Sequence, residues 1–387
     1  MHNFVFHNPV KVIFGKNAIS HLGAEVRPFG SKALLVYGNG STKDNGILDQ
    51  VTQQLNRADF DYIEFPGIQA NPLLSDVHQG INISREHGCS VIIGVGGGSV
   101  IDTAKSISAG VHVAFDIWKL FTGKKSVKET LPVIAVPTIA GSGSETNNGI
   151  VLTHDEKKLK FGFGHRKLVP AVCLADPVST FSVPPKLTAY GAVDTFTHCL
   201  EAYLSTAYVT SELQIGFIET ICKTVLASCS SVLKNPQSYD DRAALLWGSS
   251  LALSGVTTSG LGKISYPIHL LAHSLSAQQA ISHGAALAVF MPGWLRVNYH
   301  RIKNRLARFE ETVFGLHAGS SEYKAQRAIE LIEKWLLSIH CTIRLSDLEN
   351  ADLNESEMLD HALLQSKIWR MSEYDRQALE AIIKRCQ

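Results

Sequence analysis

The pattern of apolar and polar residues divides the chain into two halves of different character. Up to about residue 175, short apolar runs of strand character alternate with helical stretches. The runs are Lys32–Tyr37, Tyr62–Phe65, Val91–Gly96 and Leu131–Pro137. This alternation predicts an α/β layer with parallel strands, because a helix returns the chain to the same end of the sheet between one strand and the next.

The pattern changes after a last group of strands. These are an expected hairpin, Gly149–Thr153 and Lys158–Phe163, and the run Ala171–Ala175. Beyond Pro184 and Pro185, apolar residues recur at three-to-four spacing as far as the end of the chain, which predicts an all-helical second half. We therefore expect an α/β plus all-α protein with two domains, residues 1–180 and 181–387.

Charge and composition exclude several classes of function. The 387 residues include 36 Lys and Arg against 35 Asp and Glu, so the chain has no net field that would attract nucleic acid or an anionic membrane. The first residues lack the features of a signal peptide. No apolar segment approaches the roughly 20 residues of a membrane span, the nearest being Gly284–Met291 with its short continuation past Pro292. We expect a cytoplasmic protein with no membrane or nucleic-acid partner.

The 7 cysteines form no Cys-x-x-Cys pair and are scattered along the chain, which is typical of reduced, buried thiols. Zinc-finger and thioredoxin chemistry are therefore not expected.

Three loops rich in glycine and serine follow predicted strands. The clearest is Gly96–Ser99, where an apolar strand ends in three glycines and a helix begins, so backbone N–H groups can bind an anion there. A tight strand-to-helix turn alone would explain two of these glycines. Because Gly38–Ser41 and Pro137–Glu145 repeat the arrangement, the three loops together indicate a long ligand that carries phosphate groups.

The turn after the second strand bears on the choice of cofactor. In a typical dinucleotide fold an acidic residue binds the ribose 2′-hydroxyl there and would repel a 2′-phosphate. In this chain the turn contains Gly38, Asn39, Gly40 and Ser41, with Lys43 just beyond. We expect a preference for NADP(H) over NAD(H), although Ser41 and Lys43 are also compatible with an ordinary polar turn.

Candidate metal ligands lie in the helical half. Asp194 and His198 are four residues apart on one face of a predicted helix, as are His269 and His273, and His283 follows ten residues later. Either pair alone is better explained by hydrogen-bonded core residues. Three imidazoles and one carboxylate, however, suit one divalent ion such as Fe²⁺ or Zn²⁺. A redox cofactor together with a Lewis acid indicates carbonyl and alcohol chemistry.

These motifs together resemble the iron-containing (group III) alcohol dehydrogenases, in particular the branch of butanol dehydrogenases and broad aldehyde reductases. The matching segments are Phe14–Lys16, Gly38–Ser41, Gly96–Lys105, Pro137–Glu145, Ala175–Pro177, Ala192–Asp194 with His198, and His269, His273 and His283-Gly284. The resemblance implies a Rossmann-like N-terminal domain, an all-helical C-terminal domain and an active site in the cleft between them, an architecture similar to that of dehydroquinate synthase.

Residue by residue, the resemblance implies the metal ligands Asp194, His198, His269 and His283. It makes His273 a proton relay near the reacting carbon. At the cofactor it adds, to Gly38, Gly40 and Ser41 of the turn, the residues Asn71, Gly97, Gly98, Ser99, Asp102, Thr138, Ser144 and Lys160. Asp102 would approach the nicotinamide end, although an acid near the start of a helix is also explained by the helix dipole.

The expected reaction is reversible hydride transfer between nicotinamide and a small aldehyde or primary alcohol, in a homodimer or higher homo-oligomer. One alternative is a sugar-phosphate lyase or cyclase of the dehydroquinate synthase type. The absence of Lys and Arg between Ser265 and Leu295 counts against it, because a substrate phosphate needs basic residues. Another alternative is a non-catalytic nucleotide-binding protein. A protein that has lost its activity is free to lose its metal ligands as well, whereas every expected ligand position is filled in this chain.

Overall fold

The computed structural model describes residues 1–279, 281–348 and 353–387, and of Ser41 it describes the backbone but not the side chain. The chain divides into two compact units. The sheet unit comprises His7–Val183 and Pro236–Ser250, and the helical unit comprises Met1–Phe6, Pro184–Asn235 and Leu251–Gln387.

This division differs in two segments from the expected boundary at residues 180 and 181. The first six residues belong to the helical unit, where the His2 N–H donates to the Gly260 carbonyl over 2.8 Å. Residues 236–250 belong to the sheet unit, where Leu246 is buried against Cys173 of a strand. Both segments join a unit through contacts with residues distant in sequence, which a hydrophobic period does not reveal.

Six parallel strands form the main sheet, in the order β1-β8-β5-β4-β2-β3, and two antiparallel strands form a separate hairpin. The strands are β1 (Lys11–Phe14), β2 (Lys32–Gly38), β3 (Asp61–Ile68), β4 (Val91–Gly96), β5 (Val133–Pro137), β6 (Gly149–His154), β7 (Leu159–Gly164) and β8 (Val172–Ala175). Every residue of β4 and β5 is buried, as expected for central parallel strands that are covered on both faces. The predicted α/β layer is confirmed.

The sheet unit has six helices before the hairpin. They are α1 (Leu22–Val26), α2 (Ser41–Asp44), α3 (Ile47–Arg57), α4 (Leu74–Glu86), α5 (Gly98–Gly110) and α6 (Trp118–Phe121). Val51 and Leu55 of α3 lie in the core with Leu35 of β2 and Ile93 of β4. Helix α5 begins directly after β4, so its N-terminus lies at the carboxyl end of the sheet, where ligands of such folds bind.

The remainder of the chain is helical, as the three-to-four spacing predicts. The helices are α7 (Pro185–Ser205), α8 (Glu212–Lys234), α9 (Tyr239–Ala252), α10 (Pro267–Gln278), α11 (His283–Val297), α12 (Tyr299–Phe309), α13 (Ser321–Ser338), α14 (Glu355–Ile368) and α15 (Arg376–Arg385). Short 3₁₀ turns lie at Ala18–His21, Arg27–Phe29, Arg166–Leu168, Pro177–Thr180 and Leu345–Asp347, and a π turn at Glu310–Phe314. Helices α7 and α10 both begin with proline, which is favoured where the first N–H has no helical partner.

One helix corrects the expectation that no segment approaches the length of a membrane span. Among the described residues, α8 is long and apolar enough to cross a bilayer by length and composition, with a mean hydropathy of 1.3. Half of its most apolar window is buried inside the protein, and its Glu219 accepts a hydrogen bond from the Tyr203 hydroxyl at 2.6 Å. These features are those of a core helix that packs against α7.

Candidate metal and cofactor sites

Helix α7 supplies the centre of the candidate metal site. Asp194, His198 and Glu201 follow one another at intervals of four and three residues, so they lie along one face of the helix. All three are buried. The Asp194 Oδ1 atom lies 3.5 Å from Nε2 of His198, which brings the first two expected ligands together.

Two further histidines reach Asp194 from other helices. Nε2 of His269, in the first turn of α10, is 3.5 Å from Asp194 Oδ1, and Nε2 of His283, the first residue of α11, is 3.8 Å from it. A Cβ atom at Gly284 would lie 2.2 Å from the Tyr190 carbonyl oxygen of α7. Only glycine therefore allows the start of α11 to approach α7 this closely, which explains why glycine follows His283.

The donor set fits a divalent metal ion. Asp194, His198 and His269 each offer a ligand atom within 4.8 Å of the others. Ligand atoms about 2.1 Å from a common centre lie about 3.4 Å apart in a tetrahedron, close to the separations seen here. Nε2 of His269 is buried and makes no hydrogen bond within the part of the chain that the structure describes. A buried imidazole nitrogen needs a partner, and a metal ion would supply it.

The pKa values of His198 and His269 are shifted in opposite directions. Burial lowers the pKa of His198 to about 3, so its ring is neutral and able to bind a metal. Burial also opposes protonation of His269, but the carboxylates of Glu201 and Asp194 outweigh it and raise its pKa to about 9. The site therefore favours a cation between the two carboxylates.

His273 lies beside this group but has a different environment. Its ring is 5.2 Å from that of His283 and 5.5 Å from that of Trp369, centroid to centroid. Nδ1 of His273 is 2.9 Å from Nε2 of Gln365 on α14, and both residues are buried. The amide therefore orients the His273 ring, and with its nitrogen as donor it leaves the ring proton on Nε2.

In the sheet unit, two of the glycine-rich loops lie against each other. A Cβ atom at Gly97 would lie 2.7 Å from the Ile139 side chain, and one at Gly98 would lie 2.4 Å from Ser142 Oγ. The N–H of Thr138 donates to the Gly96 carbonyl over 3.0 Å. The glycines that lead into α5 are thus needed for loop packing, in addition to any role of the Gly98 and Ser99 N–H groups, at the start of the helix, in binding an anion.

A buried hydrogen-bond network fixes the third loop. Asp102 accepts from the Ser144 hydroxyl at 2.5 Å and from the Val151 N–H at 2.9 Å. Lys105 donates to the Ser144 carbonyl at 2.9 Å and to the Asn147 carbonyl at 3.0 Å. Burial raises the pKa of Asp102, and Lys105 and the Ser144 hydroxyl oppose that shift. No acid stands in the first turn of α5, so the helix-dipole explanation does not apply to Asp102.

Asn71 and Lys160, both expected at the cofactor, also meet. Lys160 on β7 donates from Nζ to Asn71 Oδ1 over 2.6 Å. Asn71 has a φ of 64°, a left-handed conformation that asparagine tolerates better than most residues. The loop is attached to the hairpin by the Thr153 N–H, which donates to the Pro72 carbonyl over 2.8 Å.

Gly38 is the last residue of β2, and Gly40 lies in the turn that follows, with a backbone φ of 81°. Lys43 Nζ is 5.4 Å from the centre of the Tyr37 ring, at the carboxyl end of β2. A Cβ atom at Gly40 would lie 3.6 Å from Oδ2 of Asp44, so a carboxylate also stands close to this turn. The expected Ser41 contact lies outside the described side chains.

Three residues of these sites were missed by the sequence analysis. Glu201 could have been found, because it lies seven residues after Asp194 and therefore on the same helical face. Lys105 stands within the matching segment Gly96–Lys105, but its partners are about 40 positions away and no local pattern identifies them. Gln365 has no sequence signal at all.

Comparison with known proteins identifies the family. The family model described as iron-containing alcohol dehydrogenase matches residues 9–177, and the model of the C-terminal region of that family matches residues 188–386. The chain belongs to the iron-containing alcohol dehydrogenases. It is 33% identical to a probable NADH-dependent butanol dehydrogenase 1 of Bacillus subtilis, with 99% of each protein covered. It is 32% identical to the NADPH-dependent aldehyde reductase YqhD of Escherichia coli, over 90% of this chain and 89% of that protein.

Solved structures give the same assignment. The crystal structure of NADH-dependent butanol dehydrogenase A from Thermotoga maritima matches with a TM-score of 0.96 at 32% identity, covering 100% of this chain and 99% of that one. The branch of butanol dehydrogenases and aldehyde reductases is thereby confirmed, as is the fold of a Rossmann-like sheet unit with a helical unit. Alcohol dehydrogenase chemistry is supported over the lyase and non-catalytic alternatives.

Proposed function

We propose that this protein is a metal-dependent alcohol dehydrogenase and aldehyde reductase that prefers NADP(H). It would transfer hydride reversibly between C4 of the nicotinamide and the carbonyl carbon of a small aldehyde, with a proton taken up at the oxygen to give a primary alcohol. The observation that carries the proposal is the meeting of three imidazole Nε2 atoms at one carboxylate oxygen, 3.5, 3.5 and 3.8 Å from Asp194 Oδ1.

That arrangement supports the proposed metal site. Asp194, His198, His269 and His283 would hold one Fe²⁺ or Zn²⁺ ion. When bound, such an ion supplies Lewis-acid stabilisation of the charge that develops on the substrate oxygen, worth several kcal/mol. Asp194 is the only carboxylate among the four ligands. One negative ligand leaves residual positive charge on the ion, which suits that role.

His273 is the proposed proton donor. It is buried, and Gln365 holds its Nδ1 nitrogen, so the ring presents its proton at Nε2. Imidazole is the side chain that most often serves as both proton donor and proton acceptor in enzymes that work near neutral pH. The partly buried Trp369, whose ring lies 5.5 Å from that of His273, would limit access of water to this proton.

The sheet unit is proposed to bind the cofactor. Gly97, Gly98 and Ser99 would hold the pyrophosphate at the start of α5. The other proposed cofactor residues are Gly38, Gly40 and Ser41 at the turn, Thr138 and Ser144 on the third loop, Asn71 and Lys160 at the hairpin, and Asp102. Asp102 accepts hydrogen bonds from Ser144 and Val151. Its proposed role near the nicotinamide therefore includes fixing the third loop, which contains Ser144.

The proposed preference for NADP(H) rests on the turn after β2. No carboxylate occurs from Gly38 to Ser41, and Lys43 lies just beyond, at the carboxyl end of β2. A cation there would favour a 2′-phosphate. The carboxylate of Asp44, close to the same turn, would oppose binding of a 2′-phosphate. The relatives named above include both NADH- and NADPH-dependent enzymes. Relative kcat/KM values for the two cofactors test this part separately.

The reaction itself is tested with Asp194→Ala. Loss of the only anionic ligand should remove bound Fe or Zn, measured by elemental analysis, and should lower NADPH oxidation with butanal by at least about a thousandfold. NADPH binding by the sheet unit should persist. Asp360→Ala, at an exposed ion pair with Arg376 in the helical unit, is the matched control and should behave as wild type. Wild-type turnover in the Asp194→Ala variant would refute the metal-dependent reaction.

A further inference from the structure

Glu201 makes contacts that neither the sequence motifs nor the proposed ligand set assigns. Its side chain is fully buried on α7. Oε1 accepts hydrogen bonds from the Ile268 N–H at 2.5 Å and, more weakly, from the His269 N–H at 3.4 Å. Oε2 makes a short contact with Nδ1 of His269. One carboxylate therefore binds both the backbone and the ring of an expected metal ligand.

The position of these contacts explains why Glu201 is buried as a carboxylate. Helix α10 begins with Pro267, which has no N–H, and Tyr266 before it makes no side-chain cap. Ile268 and His269 thus provide the first N–H groups that need acceptors. Glu201 takes the place of a local N-cap, and its negative charge is also favourable at the positive end of the helix dipole.

We propose that Glu201 is a positioning residue for the metal site, which holds His269 in the tautomer that can bind a metal. An ionised carboxylate only accepts hydrogen bonds, so Nδ1 of His269 must carry the proton. Nε2 of the neutral ring then has a lone pair, and it faces Asp194 Oδ1 at 3.5 Å. This inference rests on the proposed metal site.

The same contact fixes the location of the ring as well as its proton. Asp194, His198 and Glu201 are on one rigid helix, whereas His269 is on another. Glu201 binds both the backbone N–H groups at the start of α10 and the ring of His269. It therefore sets the separation between His269 and the two ligands of α7. Outer carboxylates of this kind typically contribute 10- to 100-fold to the metal affinity of an imidazole ligand.

Replacing Glu201 with Gln separates this role from simple packing. The amide has the same size, and its oxygen can still accept from the N–H groups of Ile268 and His269. Its NH₂ group then donates to Nδ1, which places the ring proton on Nε2 and blocks the metal-binding atom. We expect E201Q to bind Zn²⁺ about 10- to 100-fold more weakly than wild type, measured by competition with a chromophoric chelator.

Glu219 offers a matched control in the same unit. It is a buried glutamate whose hydrogen-bond partners within the described residues, the Tyr203 hydroxyl and Arg308, are not expected metal ligands. E219Q should lower the melting temperature of the metal-free protein while leaving Zn²⁺ affinity unchanged. Equal Zn²⁺ affinity of E201Q and wild type would overturn the proposal. So would an equal loss in E219Q, because the effect would then report general destabilisation.

A measurement on the wild-type protein covers the case in which E201Q does not fold. Zn²⁺-loaded protein labelled with ¹⁵N-histidine should show a protonated Nδ1 for His269, assigned by the loss of its signal in His269→Gln. A proton on Nε2 would overturn the inference. Asp194→Ala tests the proposed function independently, because unchanged Zn²⁺ affinity in that variant would reject the metal site itself, whatever the result for Glu201.

Discussion

Lys160 donates a hydrogen bond to the side-chain oxygen of Asn71 over 2.6 Å, although 89 positions separate them in the sequence. The lysine is almost completely buried, and the asparagine has left-handed backbone geometry with a φ of 64°. A buried ammonium group needs oxygen partners, and Asn71 in this strained conformation provides one. The two residues should therefore act on the cofactor as a unit.

This unit predicts non-additive effects on cofactor binding. N71A and K160A should each raise the Kd for NADPH about 10-fold or more, because a hydrogen bond to a charged group contributes about 1.5–3 kcal/mol. The double variant should bind only slightly more weakly than K160A, since either single change already breaks the pair. Fluorescence titration with NADPH measures all three. The exposed Lys157 of the same hairpin provides the control K157A, and wild-type affinity in K160A would remove both residues from the cofactor site.

The turn after β2 predicts a cofactor-specific effect of Lys43. In K43A, kcat/KM with NADPH should fall about tenfold or more through loss of a charge-assisted contact with the 2′-phosphate. The value with NADH should change by less than about twofold, because NADH has no such phosphate. K119A, at an exposed lysine of α6, should alter neither value. A wild-type enzyme that uses NADH better than NADPH would show that this turn does not select the phosphate.

The buried network around Lys105 predicts a large effect on stability. Burial lowers the pKa of Lys105 to about 8, and its charge at neutral pH is balanced by Asp102 and Glu145. K105M leaves these buried carboxylates without that partner, so it should lower the free energy of unfolding by roughly 3–5 kcal/mol in urea titrations. Adding D102N should recover part of the loss, because it removes one of the buried negative charges.

A lysine at the surface gives the comparison. K124M, at an exposed position of the same unit, should change the free energy of unfolding by no more than about 0.5 kcal/mol. If K105M unfolds at the same urea concentration as K124M, the network contributes nothing to the stability of the third loop.

The strands show how far hydrophobic pattern can predict this fold. β4 was predicted with its exact ends because all its residues are apolar or glycine and buried on both faces. β1 was not predicted, since it is a four-residue edge strand whose terminal residues are exposed and whose pattern is too short to distinguish from a loop. Segments 1–6 and 236–250 were assigned to the other unit because their partners are distant in sequence.

The sites show the same limit. Helical spacing places Asp194 next to His198, and it does so for any α-helix. That His269 and His283 reach the same carboxylate depends on packing of three helices and on Gly284, so it came from family resemblance and not from spacing. Glu201 is predictable from helical spacing, because it lies seven residues after Asp194 on the same face. Lys105 and Gln365 are not predictable in this way, because their partners are set by tertiary structure alone.

The contact between Gln365 and His273 predicts a catalytic effect without loss of metal. Gln365→Glu replaces the amide that faces Nδ1 with a carboxylate, which only accepts hydrogen bonds and so requires Nδ1 to carry the proton. The neutral ring then cannot donate from Nε2, and kcat for butanal reduction should fall about 100-fold, the lower end of the effect of a general acid.

The Zn²⁺ affinity should stay within about twofold of wild type, because Gln365 is bonded to His273 and not to a ligand of the metal site. The neighbouring Ser366→Ala is the control, since its hydroxyl donates to the Leu363 carbonyl and binds no other group in the described part of the chain. If Gln365→Glu loses Zn²⁺ affinity and kcat in parallel, Gln365 acts through the metal site. The fall in kcat would then not support His273 as the proton donor.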